Sequence, residues 1–117
     1  MAAGPARGRP GWLAAGQMQI QAAAGAPAQG VDAQQLEQGR LLFQSQTSPS
    51  CATCHALREA GAEGASGPDL NELQPTHDQV RAVLRDGSGA MPSFAEQLSE
   101  GQLEAVTAYV VWASRQD

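Results

Sequence analysis

Five consecutive residues, Cys51-Ala52-Thr53-Cys54-His55, constrain this chain more than any other stretch. They read C-x-x-C-H, the attachment signature of c-type haem. Two thiols so spaced can each bond one vinyl-derived carbon on the same porphyrin edge, and the histidine that follows is then held beneath the iron as a proximal ligand. A neutral imidazole suits that task, because one ring nitrogen binds iron while a hydrogen bond steers the other. A redox dithiol and half of a zinc site are the alternatives. A closed zinc site wants two further Cys or His, whereas the chain has no third cysteine and its other histidine is His77. A thioredoxin-like dithiol belongs near a β-α-β pattern, and the sequence offers no strand-like run. The motif favours haem.

Composition is compatible with a cofactor-centred fold. The length of 117 residues suits one domain with a tail. Two Trp, two Phe and one Tyr are few large side chains with which to fill a small core. A porphyrin would supply the missing apolar volume. Helices rich in Ala and Leu could also pack without it, and composition alone does not decide. A net charge of −5 argues against nucleic acid as a partner. No run of about 18 apolar residues is present, so no segment reads as a membrane span.

Residues 1–31 differ from the rest, being dominated by Ala, Gly, Gln and Pro. They are expected to be a flexible tail or linker, and the domain is expected to span 32–117. Arg7 and Arg9 before Trp12-Leu13-Ala14-Ala15 faintly suggest a secretory signal, but Gln17, Gln19 and Gln21 interrupt its apolar region. Asp32 with Gln35 opens a first helix in the manner of a capping box, with Leu36, Gly39, Leu42 and Phe43 on one stripe. Gly39 within that stripe costs about 1 kcal/mol of helix propensity relative to Ala, which close approach of another helix would offset. Cys51 to about Leu57 is expected to be a helical turn, and Arg58 to Ser66 a loop.

Thr76 with Gln79 opens a helix to about Asp86, with Val80, Val83 and Leu84 as its apolar stripe and Gly87 as its stop. His77, at the start of that helix, reads as a surface histidine rather than an axial ligand. In Asp86-Gly87-Ser88-Gly89-Ala90-Met91-Pro92 the glycines are not a nucleotide loop, since no strand precedes them. They would instead let the backbone pass close to a flat surface. Loop methionines are usually gap filler. Met91, after two glycines in a chain with C-x-x-C-H, reads better as a sixth iron ligand whose thioether favours ferrous iron. Ser93 to Gln97 reads as one turn. Ser99 with Gln102 caps a last helix carrying Leu103, Val106, Val110 and Ala113 on one stripe, with Tyr109 and Trp112 as packing residues facing the first helix near Gly39.

From Asp32 to the C-terminus the chain resembles the small bacterial class I c-type cytochromes. The resemblance rests on Cys51, Cys54 and His55, on Gly67-Pro68, on Met91-Pro92, and on Gly39 and Phe43 with Tyr109. It implies an all-α fold of three to five helices wrapped around one haem c, covalently bound through Cys51 and Cys54. It also implies His55 and Met91 as iron ligands, and a crossing of the first and last helices at Gly39. Pro68, which composition alone would leave as an ordinary loop proline, becomes the residue whose carbonyl faces His55. The implied function is one-electron transfer, with no catalysis by the chain itself. Donor and acceptor proteins would dock transiently at the exposed haem edge in the periplasm. A haem domain or subunit of a larger oxidoreductase is the alternative, and an open-site haem sensor or catalyst a more distant one.

Overall fold

The computed structural model describes residues 32–117; the expected tail, 1–31, lies outside the described residues. Three longer helices carry the architecture. The first, α1 (Ala33–Gln44), begins where Asp32 Oδ1 accepts the Gln35 N–H at 2.9 Å. Its buried residues are Leu36, Gly39, Leu42 and Phe43, the stripe that the spacing predicts. The last helix, α5 (Glu100–Ala113), opens on a complete capping box between Ser99 and Gln102 and buries Leu103, Val106, Tyr109, Val110 and Ala113.

The two cross at Gly39. A Cβ placed there would lie 2.3 Å from the Ala105 carbonyl oxygen and 2.4 Å from Tyr109 Cβ, so the backbones meet at a distance that no side chain permits. Phe43 meets Tyr109 edge-on beside the crossing, with ring centroids 6.0 Å apart. Helix α4 (His77–Asp86) starts at a complete Thr76–Gln79 capping box and stops at Gly87, whose φ is 76°. It packs on α5 and is tied to it by Arg81, which pairs with Glu100 at 2.6 Å and Glu104 at 2.9 Å.

Between α1 and α4 the chain departs from expectation in three places. The haem motif forms one helical turn, α2 (Cys51–Cys54), and does not continue to Leu57, because His55 is extended at φ −114°, ψ 137°. The Cys54 carbonyl is instead taken by the Gly67 N–H at 2.7 Å, so a distant loop closes the turn. Arg58 to Ser66 is not a plain loop. Ala56–Leu57 (β1) and Ala62–Glu63 (β2) pair antiparallel around a 3₁₀ turn at Arg58–Ala60. The expectation of no strand therefore fails for this two-residue ribbon, which buries Leu57 completely. Finally, Leu70–Leu73 forms a short helix, α3, capped by Asp69. The core runs through Leu36, Leu42, Phe43, Leu57, Leu84, Phe94, Leu103 and Val106. Predominantly helical, the fold is the expected all-α class with one small ribbon added.

Candidate haem site

The apolar faces of α1, α4 and α5 do not close on one another. They leave a cavity of about 550 Å³, lined by Phe43 from α1, Val80, Val83 and Leu84 from α4, and Val106 and Val110 from α5. Pro49, Leu73, Pro75, Pro92 and Phe94 also line it, and among the described residues no Asp, Glu, Lys or Arg does. Cys51, Cys54, His55, Pro68 and Met91 all line it. These residues, identified by spacing and resemblance, lie up to 40 positions apart, between Cys51 and Met91, and the fold brings all of them to one space.

Each is positioned by its own local structure. The α2 turn carries both cysteines three positions apart, and so on one face, and they are not joined in a disulfide. Burial pushes the Cys51 thiol up from its ordinary pKa, opposed by the Thr47 hydroxyl, whose Oγ1 lies 4.0 Å from Sγ. Thr47 is itself fixed by donating to the Pro49 carbonyl at 2.9 Å.

His55 Nδ1 stands 2.8 Å from the Pro68 carbonyl. A carbonyl only accepts, so Nδ1 must carry the proton, and Nε2 is left with a lone pair for a metal. The approach depends on Gly67, where a Cβ would come within 2.7 Å of the imidazole Cε1 and 2.9 Å of Nδ1. Met91 is held by a two-way backbone bridge: its N–H donates to the Ser88 carbonyl at 2.8 Å and its carbonyl accepts the Ser88 N–H at 2.9 Å. The loop therefore presents the thioether from a closed turn. Gly87 and Gly89 serve that turn through positive φ, and at Gly89 an added Cβ would meet nothing within 4 Å.

These residues fit a covalently held haem. The space is large and apolar, two thiols sit on one turn, an imidazole with the right tautomer stands beside them, and a thioether comes from another loop. His77 does not belong to the site, because its Nε2 faces the Glu104 carboxylate at 2.9 Å on the α4–α5 surface.

The known proteins that this chain resembles decide the family. Residues 34–110 match the family described as "Cytochrome C oxidase, cbb3-type, subunit III". The chain belongs to this family of c-type cytochromes. Among relatives, cytochrome c-551 of Halorhodospira halochloris is 28% identical over 62% of this chain and 94% of its own length. Cytochrome c6 of Cladophora glomerata is 30% identical over 68% of this chain and 90% of its own. The solved structure of the c-type cytochrome SorU from Sinorhizobium meliloti superposes with a TM-score of 0.66 at 38% identity, covering 69% of this chain and 92% of that one. The fold is thus that of the class I cytochromes c, and the cofactor of this cytochrome is haem c.

Two features of the cytochrome were not legible in its sequence. Glu59 lies at the centre of a network: Arg40 donates to its two oxygens at 3.1 and 2.6 Å, and the Tyr109 hydroxyl donates at 2.5 Å. Burial alone would raise the Glu59 carboxyl, but Arg40 and Tyr109 outweigh it and hold it below the ordinary carboxylate range. The second is Asn71, a buried amide on α3. Nothing in the spacing of either residue signals its role, because every partner of the two side chains is remote in the chain.

Proposed function

We propose that this cytochrome carries single electrons on one haem c held by Cys51 and Cys54 and ligated by His55 and Met91. The observation that carries the reading is that these four residues line one apolar cavity with the His55 Nδ1–H on the Pro68 carbonyl. Bound there, haem c supplies a one-electron ferric–ferrous couple. The chain's part would be to fix the His55 imidazole in one tautomer, to offer the neutral soft thioether of Met91, and to keep water and charge out of the cavity. Were both side chains to bind the iron, no position would remain for a substrate, which favours carriage over catalysis. The absorption spectrum of the matured protein in both oxidation states, with its intact mass, tests this. Methionine ligation predicts a weak far-red sulfur-to-iron band in the ferric form and slow CO binding to the ferrous form. Loss of that band with rapid CO binding would instead favour an open-site sensor or catalyst.

The partners are redox proteins that dock transiently, and the net charge of −5 favours a basic patch on at least one of them. Residence in the periplasm is supported by the resemblance to exported bacterial cytochromes, and the cysteine usage is compatible with it, since both thiols would be consumed as thioethers and leave no disulfide to form in an oxidising compartment. Among the described residues no helix is long and apolar enough to cross a membrane. A second reading, a haem subunit of a larger oxidoreductase, is favoured by the description of the matching family. The size of the native product on a haem-stained gel separates it from a free carrier.

A further inference from the structure

The bond between His55 and Pro68 is one rung of a ladder. Two segments, 54–58 and 67–71, run side by side with a constant offset in sequence. The Cys54 carbonyl accepts the Gly67 N–H at 2.7 Å. His55 Nδ1 donates to the Pro68 carbonyl at 2.8 Å. The Arg58 N–H donates to Asn71 Oδ1 at 2.8 Å. The first two rungs join the haem motif to Gly67 and Pro68 through their backbone, whereas the third depends on the Asn71 side chain. Asn71 is 7% exposed, and its amide is fully used: Nδ2 donates at 3.3 Å to both the Ser114 and the Gln116 carbonyls beyond the C-terminal turn of α5. Its own N–H is held by Asp69 Oδ1 at 2.9 Å.

The middle rung needs support. One hydrogen bond from a side chain to a loop carbonyl contributes only about 0.5–1.5 kcal/mol by itself. The register of the two segments brings the carbonyl to the imidazole, and Asn71 closes that register by accepting the Arg58 N–H, while its Nδ2 reaches the backbone just beyond α5. We propose that Asn71 is a positioning residue for electron transfer. By locking Arg58 and α3 together it holds the Pro68 carbonyl on His55 Nδ1–H. That bond raises the basicity of the proximal imidazole, so Asn71 acts on the reduction potential through His55 without touching the cofactor. The inference rests on the reading of His55 as proximal ligand.

The test uses the matured holoprotein. In Asn71→Ala, solvent exchange of the His55 Nδ1–H, followed by NMR, accelerates about 5- to 30-fold, the range expected when one or two modest hydrogen bonds are lost. The reduction potential rises, because a less basic imidazole stabilises ferric iron less. Asn71→Asp keeps the acceptor for Arg58 and loses the donor to the C-terminus. It leaves the His55 exchange rate near that of the parent while amides at the end of α5 exchange faster. Thr107→Ala, which removes a buried hydroxyl donating to Leu103 within α5, controls for destabilisation alone and moves neither readout. If Asn71→Ala does not yield folded protein, Asn71→Ser, too short to reach the same partners, is read in its place. A lowered melting temperature with parental exchange and potential would overturn the proposal and reduce Asn71 to a staple for the C-terminus. Absence of paramagnetically shifted His55 resonances in the parent itself would instead overturn the ligand assignment.

Discussion

Met91 is the residue on which the proposed function is most exposed to test. Replacing it by Ala removes the thioether that favours ferrous iron. The expected outcome for Met91→Ala is loss of the sulfur band, a lower potential and rapid binding of CO or cyanide. An unchanged spectrum would reject Met91 as a ligand. Glu59 makes a prediction of another kind. Its carboxyl is held down in the folded state, so the stability contributed by the Arg40–Glu59–Tyr109 network is fully present above the ordinary value of 4.5 and is lost as the pH falls below it. Tyr109 bounds the other side: burial first, then its hydrogen bond to Glu59 and the charge there, raise its hydroxyl, so that contribution holds below the ordinary value of 10.0 and is lost as the pH rises through the raised pKa. Tyr109→Phe is expected to cost about 1.5–3 kcal/mol, as for hydrogen bonds to charged groups, and to flatten the acid limb of thermal stability measured against pH. An unchanged acid limb would mean that Arg40 alone holds Glu59. The residues of the haem motif and the methionine loop could be picked out from the sequence because adjacent residues carry the signal. Asn71 and Glu59 could not, since the first bonds across 43 positions to Ser114 and the second across 50 to Tyr109.

At the scale of elements, the crossing of α1 and α5 sets two physical effects against each other. Helix propensity says that Ala at position 39 should stabilise α1 by about 1 kcal/mol over Gly. Sterics say the reverse, because the new Cβ would fall on the Ala105 carbonyl, and a backbone oxygen in a packed helix cannot step aside. Overpacking of this kind costs typically about 1–3 kcal/mol and more for larger side chains, so sterics win. Gly39→Ala is expected to lower the melting temperature, and Gly39→Val to lower it further. A rise in Gly39→Ala would show that the helices separate without penalty. Helix starts are legible in the sequence, since Asp32, Thr76 and Ser99 each cap the helix that their spacing predicts. The short elements were not. A strand of two residues and a helix of four are below the length at which any periodicity can be seen. They exist because long-range bonds hold them, as the Cys54–Gly67 bond stops α2 and frees His55 and β1 to extend.

For the whole molecule, the cavity decides whether the polypeptide can fold alone. An open apolar cavity of about 550 Å³ fills with water, so the faces of α1, α4 and α5 that line it keep the exposure that folding would otherwise remove, at roughly 1.5–3 kcal/mol for each large apolar side chain left fully exposed. Domains of this size are stable by only about 5–15 kcal/mol in total, so a few such side chains offset much of what the α1–α5 crossing, the caps and the ion pairs contribute. Collapse of the walls is opposed by the packing of α4 on α5 and by the Phe94 N–H on the Leu84 carbonyl at 2.7 Å, which ties the end of α4 to the following loop. The chain with Cys51→Ala and Cys54→Ala, made without haem attachment, is accordingly expected to show reduced helicity by circular dichroism and no cooperative thermal transition. Supplied with free haem, it should regain helicity in proportion to the haem bound and lose its colour on a denaturing gel. A cooperative transition in the haem-free chain near that of the matured protein would mean that the three helical faces close on their own, and the cavity would then no longer be the volume around which this sequence is built.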